Sequence, residues 1–153
     1  MSIGNETVSA KHYGPGHTGG DIVVVFETAN VAHVGDLVFN RRHPFVDRPS
    51  GASVRGWISS LESIAGELFD DTIYIFGHAK AGRSVTGSKA DLLVQRDYFS
   101  AVVERVEKGI SEGRSRDEVS SFEALPGFGD YVGSPPRLTL ANVLGITYDE
   151  LMQ

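Results

Sequence analysis

The sequence predicts an α/β fold, in which a mixed sheet is packed by helices. Three observations carry this reading. Short β-branched runs, among them Ile22-Val23-Val24-Val25-Phe26 and Thr72-Ile73-Tyr74-Ile75-Phe76, alternate with longer stretches whose apolar residues recur at helical spacing. The 18 glycines cluster at turns, as they do where a site is built on loops. The order strand, strand, helix, strand, helices is that of a layered α/β domain. A length of 153 residues fits one domain, and a 41% hydrophobic fraction is enough to give it a core.

A short strand is expected near Glu6 to His12, followed by the turn Gly14-Pro15-Gly16-His17-Thr18-Gly19-Gly20. The continuous apolar run Ile22 to Phe26 reads as a strand covered on both faces. After a turn over Glu27 to Asn30, Val31 to Asp36 forms a second strand and closes a hairpin. Leu37 to Ser50, rich in Arg, Pro and Asn, reads as a long loop.

Val54, Trp57, Ile58, Leu61, Ile64, Ala65 and Leu68 then mark one face of a helix over Ala52 to Phe69. Thr72 to Phe76 is the next strand, ended by Gly77-His78. Ser88 and Asp91 have the spacing of a helix start, and the helix runs to Ser111. Ser115 and Glu118 open a short helix, and Pro126 to Pro136 is a loop. A final helical segment spans Thr139 to Leu151, interrupted near Gly145.

Composition removes several function classes. The net charge is −6 and no basic run stands out, so neither nucleic acid nor an anionic membrane is an expected partner. With no cysteine there is no disulfide, thiolate ligand or thiol nucleophile. Met1 to Tyr13 is polar, without the apolar segment of a signal peptide, and no stretch is apolar enough to span a bilayer. A cytoplasmic location follows if Met1 is the natural start.

Three residues stand where chemistry is expected. His17 lies in a glycine-rich turn before a strand, and Asp36 and His78 each directly follow a strand. Ligands of α/β sheets bind outside the carboxyl ends of strands. Two imidazoles and a carboxylate suit zinc and similar divalent ions. The same residue types also serve as turn formers and solvated histidines, and type alone leaves both readings open.

The wider context narrows the choice. Gly-Pro-Gly-His17-Thr-Gly-Gly-Asp21, then Val-Gly-Asp36-Leu-Val-Phe, then Ile-Phe-Gly-His78 resembles three ordered motifs of the metallo-β-lactamase superfamily, over Tyr13 to Ala79. The resemblance implies that His17 binds one metal of a two-metal site, that Asp36 bridges both and has the catalytic role, and that His78 binds the second. The implied metal is divalent, zinc foremost. The implied activity is metal-dependent hydrolysis of a small molecule.

The family's upstream His-x-His-x-Asp-His motif is absent. The chain therefore resembles the C-terminal half of an αβ/βα sandwich. A half sandwich leaves a sheet face bare, so the resemblance implies completion by a second copy or by a complementary N-terminal half. The alternatives are a non-catalytic dimeric scaffold and a fragment of a longer hydrolase.

The remaining histidines have other readings. His33 is expected to be a structural or partly buried residue and not a ligand, on the strand face opposite Asp36. His12 is near enough to His17 in sequence to assist the site. His43 lies in Asn40 to Pro49, which is either a substrate wall or a surface loop.

Overall fold

The computed structural model describes all residues, 1–153. Its six strands are β1 (Ser2–Ile3), β2 (Glu6–Lys11), β3 (Val23–Phe26), β4 (Val31–Asn40), β5 (Ile73–Ala79) and β6 (Thr86–Gly87). They lie side by side in sequence order in one sheet. β4 and β5 are parallel, and every other neighbouring pair is antiparallel. The helices are α1 (Val54–Glu67), α2 (Lys89–Ser111), α3 (Arg116–Ser120) and α4 (Leu140–Leu151). No helix is long and apolar enough to cross a membrane.

α1 connects the parallel strands β4 and β5, which need a long crossover connection. Its apolar stripe Val54, Trp57, Leu61 and Ile64 is buried. Ser53 caps the start, its side chain accepting from the Gly56 N–H at 3.0 Å. Glu150 of α4 also reaches this helix start, accepting from Val54 N–H at 2.8 Å and Ser53 Oγ at 2.9 Å. A carboxylate there opposes the positive end of the helix and ties the last helix to the first. α2 begins as its spacing predicts, with Asp91 accepting from the Ser88 N–H at 2.9 Å. It buries Leu92, Tyr98, Phe99, Val102 and Val106. Each fully buried apolar side chain of this kind contributes roughly 1.5–3 kcal/mol of burial free energy.

Cross-strand pairing divides the sheet into two faces. Val23, Ala32, Val34, Tyr74 and Phe76 are buried in the core beneath the helices. Val8, Val24, Phe26, Val31, Ile73 and Ile75 are paired across the other face. None of these six packs into the core, and Ile73 is 51% exposed. The expectation that Ile22 to Phe26 is covered on both faces is therefore overturned. Only Val23 of β3 is fully buried, Val25 is packed from the same side, and Ile22 is exposed. A β-branched run of this kind shows that both faces are apolar, not that one chain supplies cover for both.

Three further expectations change. β4 does not stop at Asp36 but continues to Asn40, so the loop begins later than its composition suggests. Gly77-His78 does not end β5, which runs on to Ala79. α4 is not interrupted at Gly145. That glycine is buried where a Cβ would stand 2.8 Å from an Arg116 nitrogen and 2.9 Å from Ser120 Oγ. Close approach of α3, not a helix break, explains the residue. The two-residue strands β1 and β6 are too short to leave a periodic signal.

Candidate metal centre

The local feature that builds the site is an irregularity in β4. Pairing with β5 runs His33 to Ile75, then Gly35 to Phe76, then Phe39 to His78, with a register shift in each interval. Gly35 has φ +54°, a left-handed conformation that glycine adopts without the Cβ penalty. The extra residues push Asp36 out of the ladder. Asp36 and His78 thus lie inside their strands, not after them as the sequence suggests.

A bulge leaves backbone groups without ladder partners, and side chains from both helices take them up. Trp57 of α1, fully buried, donates its Nε1–H to the Leu37 carbonyl at 2.9 Å. Gln95 of α2, also buried, accepts from the Phe39 N–H at 3.1 Å through Oε1. These two residues brace the bulge on either side of Val38. The sequence hid both, because each falls in the apolar stripe of a helix.

His17 is placed by the Gly14–Gly20 loop, which is stitched to the chain before α1. The His17 carbonyl accepts from Asp47 N–H at 3.2 Å, and the Gly16 carbonyl from Ser53 N–H at 3.1 Å. Gly16 is required by space: a Cβ there would stand 2.6 Å from Leu37 Cδ2. Within the loop Asp21 accepts from the Thr18 N–H and hydroxyl, both at 2.9 Å.

The structure brings His17, Asp36 and His78 together. His17 Nε2 lies 3.7 Å from Asp36 Oδ2, and His78 Nε2 lies 3.5 Å from Asp36 Oδ1. Each imidazole thus faces its own carboxylate oxygen. His78 stacks on Phe39, ring centroids 4.6 Å apart, and His17 meets Trp57 edge-on at 5.9 Å. On the far side of His17, Nδ1 is 3.7 Å from Asp21 Oδ1, an electrostatic neighbour beyond hydrogen-bond length. Asp21 raises the pKa of His17, burial opposes the rise, and Asp36 adds to it. Burial of Asp21 would raise its own pKa, but His17 and the two Thr18 donors together hold it low.

No group of three or more His, Asp or Glu side chains is arranged to hold a metal ion around a single point. The geometry is one of two donor pairs sharing a carboxylate. The three residues line a cavity of about 480 Å³ together with Phe39, Phe45 and the segment Ser134 to Leu138. That volume is within the range of small-molecule sites.

The other histidines make no ion pair with Asp36 and have partners of their own. His12 donates from Nδ1 to the Asp21 carbonyl at 2.7 Å, so it supports the loop that carries His17. His33 is exposed on the bare sheet face, with Nδ1 accepting from the Gly35 N–H at 3.2 Å, so of its two expected readings partial burial is not found and a local structural hydrogen bond is. The expected Asn40–Pro49 loop divides its roles, for Phe45 lines the cavity while His43 is buried with Nδ1 2.9 Å from Tyr98 Oη.

Burial pushes the His43 pKa below the ordinary value. A neutral imidazole is then favoured in the fold. Its stabilising contribution is full above about pH 6.5 and is lost as pH falls below that, because the unfolded chain takes up the proton first. His17, with a raised pKa, acts in the opposite sense. The readout is therefore the difference between wild type and His43→Gln in urea denaturation at about pH 7.5 and 5.5. The acid-side loss of stability is expected to be smaller in the variant; equal losses in both proteins refute the assignment.

Residues 4–78 match the family model of the metallo-beta-lactamase superfamily. No curated protein matches the sequence. Among solved structures, a metallo-beta-lactamase from Pontibacter korlensis aligns with a TM-score of 0.55 at 16% identity, over 65% of this chain and 44% of that one. The DIM-1 metallo-beta-lactamase, in a crystal exposed to ceftazidime, aligns with a TM-score of 0.51 at 21% identity, over 63% of this chain and 45% of its own. At such identities the likeness is one of fold. The chain spans less than half the length of these structures. The match over residues 4–78 is thus to the metallo-beta-lactamase superfamily, and the fold of the chain is similar to about half of a metallo-beta-lactamase domain.

Proposed function

We propose that the chain supplies one half of a metal-dependent hydrolase site, with His17, Asp36 and His78 as the metal-binding residues. One observation carries this reading: Asp36 presents a separate oxygen to each imidazole, at 3.7 and 3.5 Å. Two ligands on one zinc ion, each at about 2.0–2.1 Å, stand about 3.3–3.4 Å apart in a tetrahedral shell. The two N···O separations are near that edge length and too long for hydrogen bonds.

The residues fit a metal pair in part. His17 with Oδ2, and His78 with Oδ1, give two protein donors to each position, short of the three that a catalytic zinc site holds. The deficit matches the absence of His-x-His-x-Asp-His. A bound divalent ion supplies an acidified water and polarises the scissile oxygen. The chain's own contribution is orientation. Asp36 is fixed by the braced bulge, His78 by its stack on Phe39, and His17 by Asp21 behind it.

The missing donors come from a second half seated on the bare sheet face. Val8, Val24, Phe26, Val31, Ile73 and Ile75 form a largely apolar surface across four strands, with His33 set between Val24 and Ile75. Such a surface favours a protein partner. Either a second copy of this chain or a complementary N-terminal half answers that description.

Two measurements test the reading. Zinc bound per chain, determined by elemental analysis after dialysis, is expected to fall by at least about tenfold in His78→Ala, as loss of one of two donors implies. Unchanged occupancy removes His78 from the site. Sedimentation equilibrium at micromolar concentration decides between the partners. A dimer supports the second copy, and a monomer refutes it and leaves the complementary half.

A further inference from the structure

The cavity over the metal-binding residues has one wall that the hydrolase reading does not use. Residues Ser134 to Leu138 form a tight loop closed by two backbone hydrogen bonds, Ser134 N–H to the Leu138 carbonyl and Leu138 N–H, at 3.1 Å, to the Ser134 carbonyl. The loop is held at two further points. Arg42 donates to Ser134 Oγ at 3.1 Å, and Asn142 Nδ2 donates to the Arg137 carbonyl at 2.9 Å. Arg137 itself lies over the Phe45 ring, its guanidinium carbon 5.7 Å from the centroid.

The charge pattern around this loop is selective. Arg41 and Arg83 are both paired with Asp130, each at 3.5 Å. Arg137 has no ion pair, and it is the one Lys or Arg among the residues lining the cavity. The one carboxylate in the lining, Asp36, is already between two imidazoles. An unpaired guanidinium fork beside apolar side chains suits an oxyanion, which accepts two parallel N–H···O bonds. Phe39, Phe45 and Leu138 beside it suit an apolar body.

We infer that Arg137 is a specificity residue that binds an anionic substituent, carboxylate or phosphate, of a substrate with an apolar flank. The inference rests on the proposed hydrolase reading for its substrate sense, since the two share a cavity. Its physical core, an anion held by Arg137, is independent of any metal.

The test uses the full chain after chelator treatment, so that metal binding plays no part. Backbone amide resonances are followed by NMR while phenylacetate, phenyl phosphate or the neutral methyl phenylacetate is titrated. Both anions are expected to shift the residues around 133–138 and Phe45 saturably, and the ester is expected to bind more weakly. Arg137→Gln should weaken anion binding about ten- to a hundredfold, and Arg137→Lys less. Arg83→Gln, which removes the same charge from an already paired residue, should leave it unchanged.

Stronger binding of phenylacetate points to a carboxylate substrate, and stronger binding of phenyl phosphate to a phosphate-bearing one. Either preference upholds the assignment if it vanishes in Arg137→Gln. Equal affinity for ester and anions, or an unaltered Arg137→Gln, overturns it. Zinc occupancy is read separately. A chain that holds no zinc yet shows the Arg137-dependent shifts would end the hydrolase reading and leave the anion site standing.

Discussion

Gly77→Ala is expected to lower zinc affinity about ten- to a hundredfold and to cost about 1–3 kcal/mol of stability. A Cβ at residue 77 would stand 2.1 Å from Asp36 Oδ1, 2.8 Å from the Gly35 carbonyl carbon and 2.9 Å from its oxygen. The carboxylate can swing away only by leaving His78, which it faces through that same oxygen. The backbone of Gly35 has little freedom, because its left-handed conformation sets the bulge. Both escapes therefore disturb Asp36. Competition with a chromophoric chelator measures the affinity, and urea denaturation the stability. Gly66→Ala is the control. Gly66 lies in α1 with nothing within 4 Å of the added Cβ, and the change should stabilise by about 0.5–1 kcal/mol. Zinc affinity equal to wild type in Gly77→Ala would mean that Asp36 is not a ligand.

Trp57→Phe is expected to destabilise the chain by about 1–3 kcal/mol and to weaken zinc binding as well. The benzyl ring keeps most of the apolar packing against Phe99, whose centroid is 4.4 Å away. What is lost is the indole N–H that satisfies the Leu37 carbonyl. That carbonyl adjoins Asp36 in the part of β4 that has left the regular ladder, so a ladder partner is not at hand. The residue is a positioning residue, and both readouts are needed. Lost stability with unaltered zinc affinity would reduce Trp57 to a core side chain. Loss of both supports its role in aiming Asp36.

The legible part of the fold came from periodicity. The apolar stripe of Val54 to Ile64 and the Ser88–Asp91 spacing fix two helices from local chemistry alone, and both appear where their residues place them. β4 was only half legible. Its alternation holds from Val31 to Val34, then Gly35 at φ +54° breaks the period of two. Leu37, Val38 and Phe39 are all buried in succession, which no single strand face allows. A sequence pattern that assumes one face therefore ends the strand too early. The bare face of β3 failed for a related reason. Val24 and Phe26 are as apolar as Val23 and Val25, and only the packing of α1 and α2 on one side distinguishes them.

By itself, the sequence determined the α/β class, the loop bearing His17, the glycine next to each of Asp36 and His78, and the resemblance to the metallo-beta-lactamase superfamily that those residues carry. These are local properties, set by turn chemistry, glycine freedom and the period of apolar residues. The tertiary structure alone decided that residues 17, 36 and 78 meet, that Trp57 and Gln95 brace the strand between them, and that Arg137 reaches the same cavity from 59 residues beyond His78. Those relations depend on pairing across the sheet and on helices closing over one of its faces. Both join residues far apart in the chain, where no local pattern records the contact.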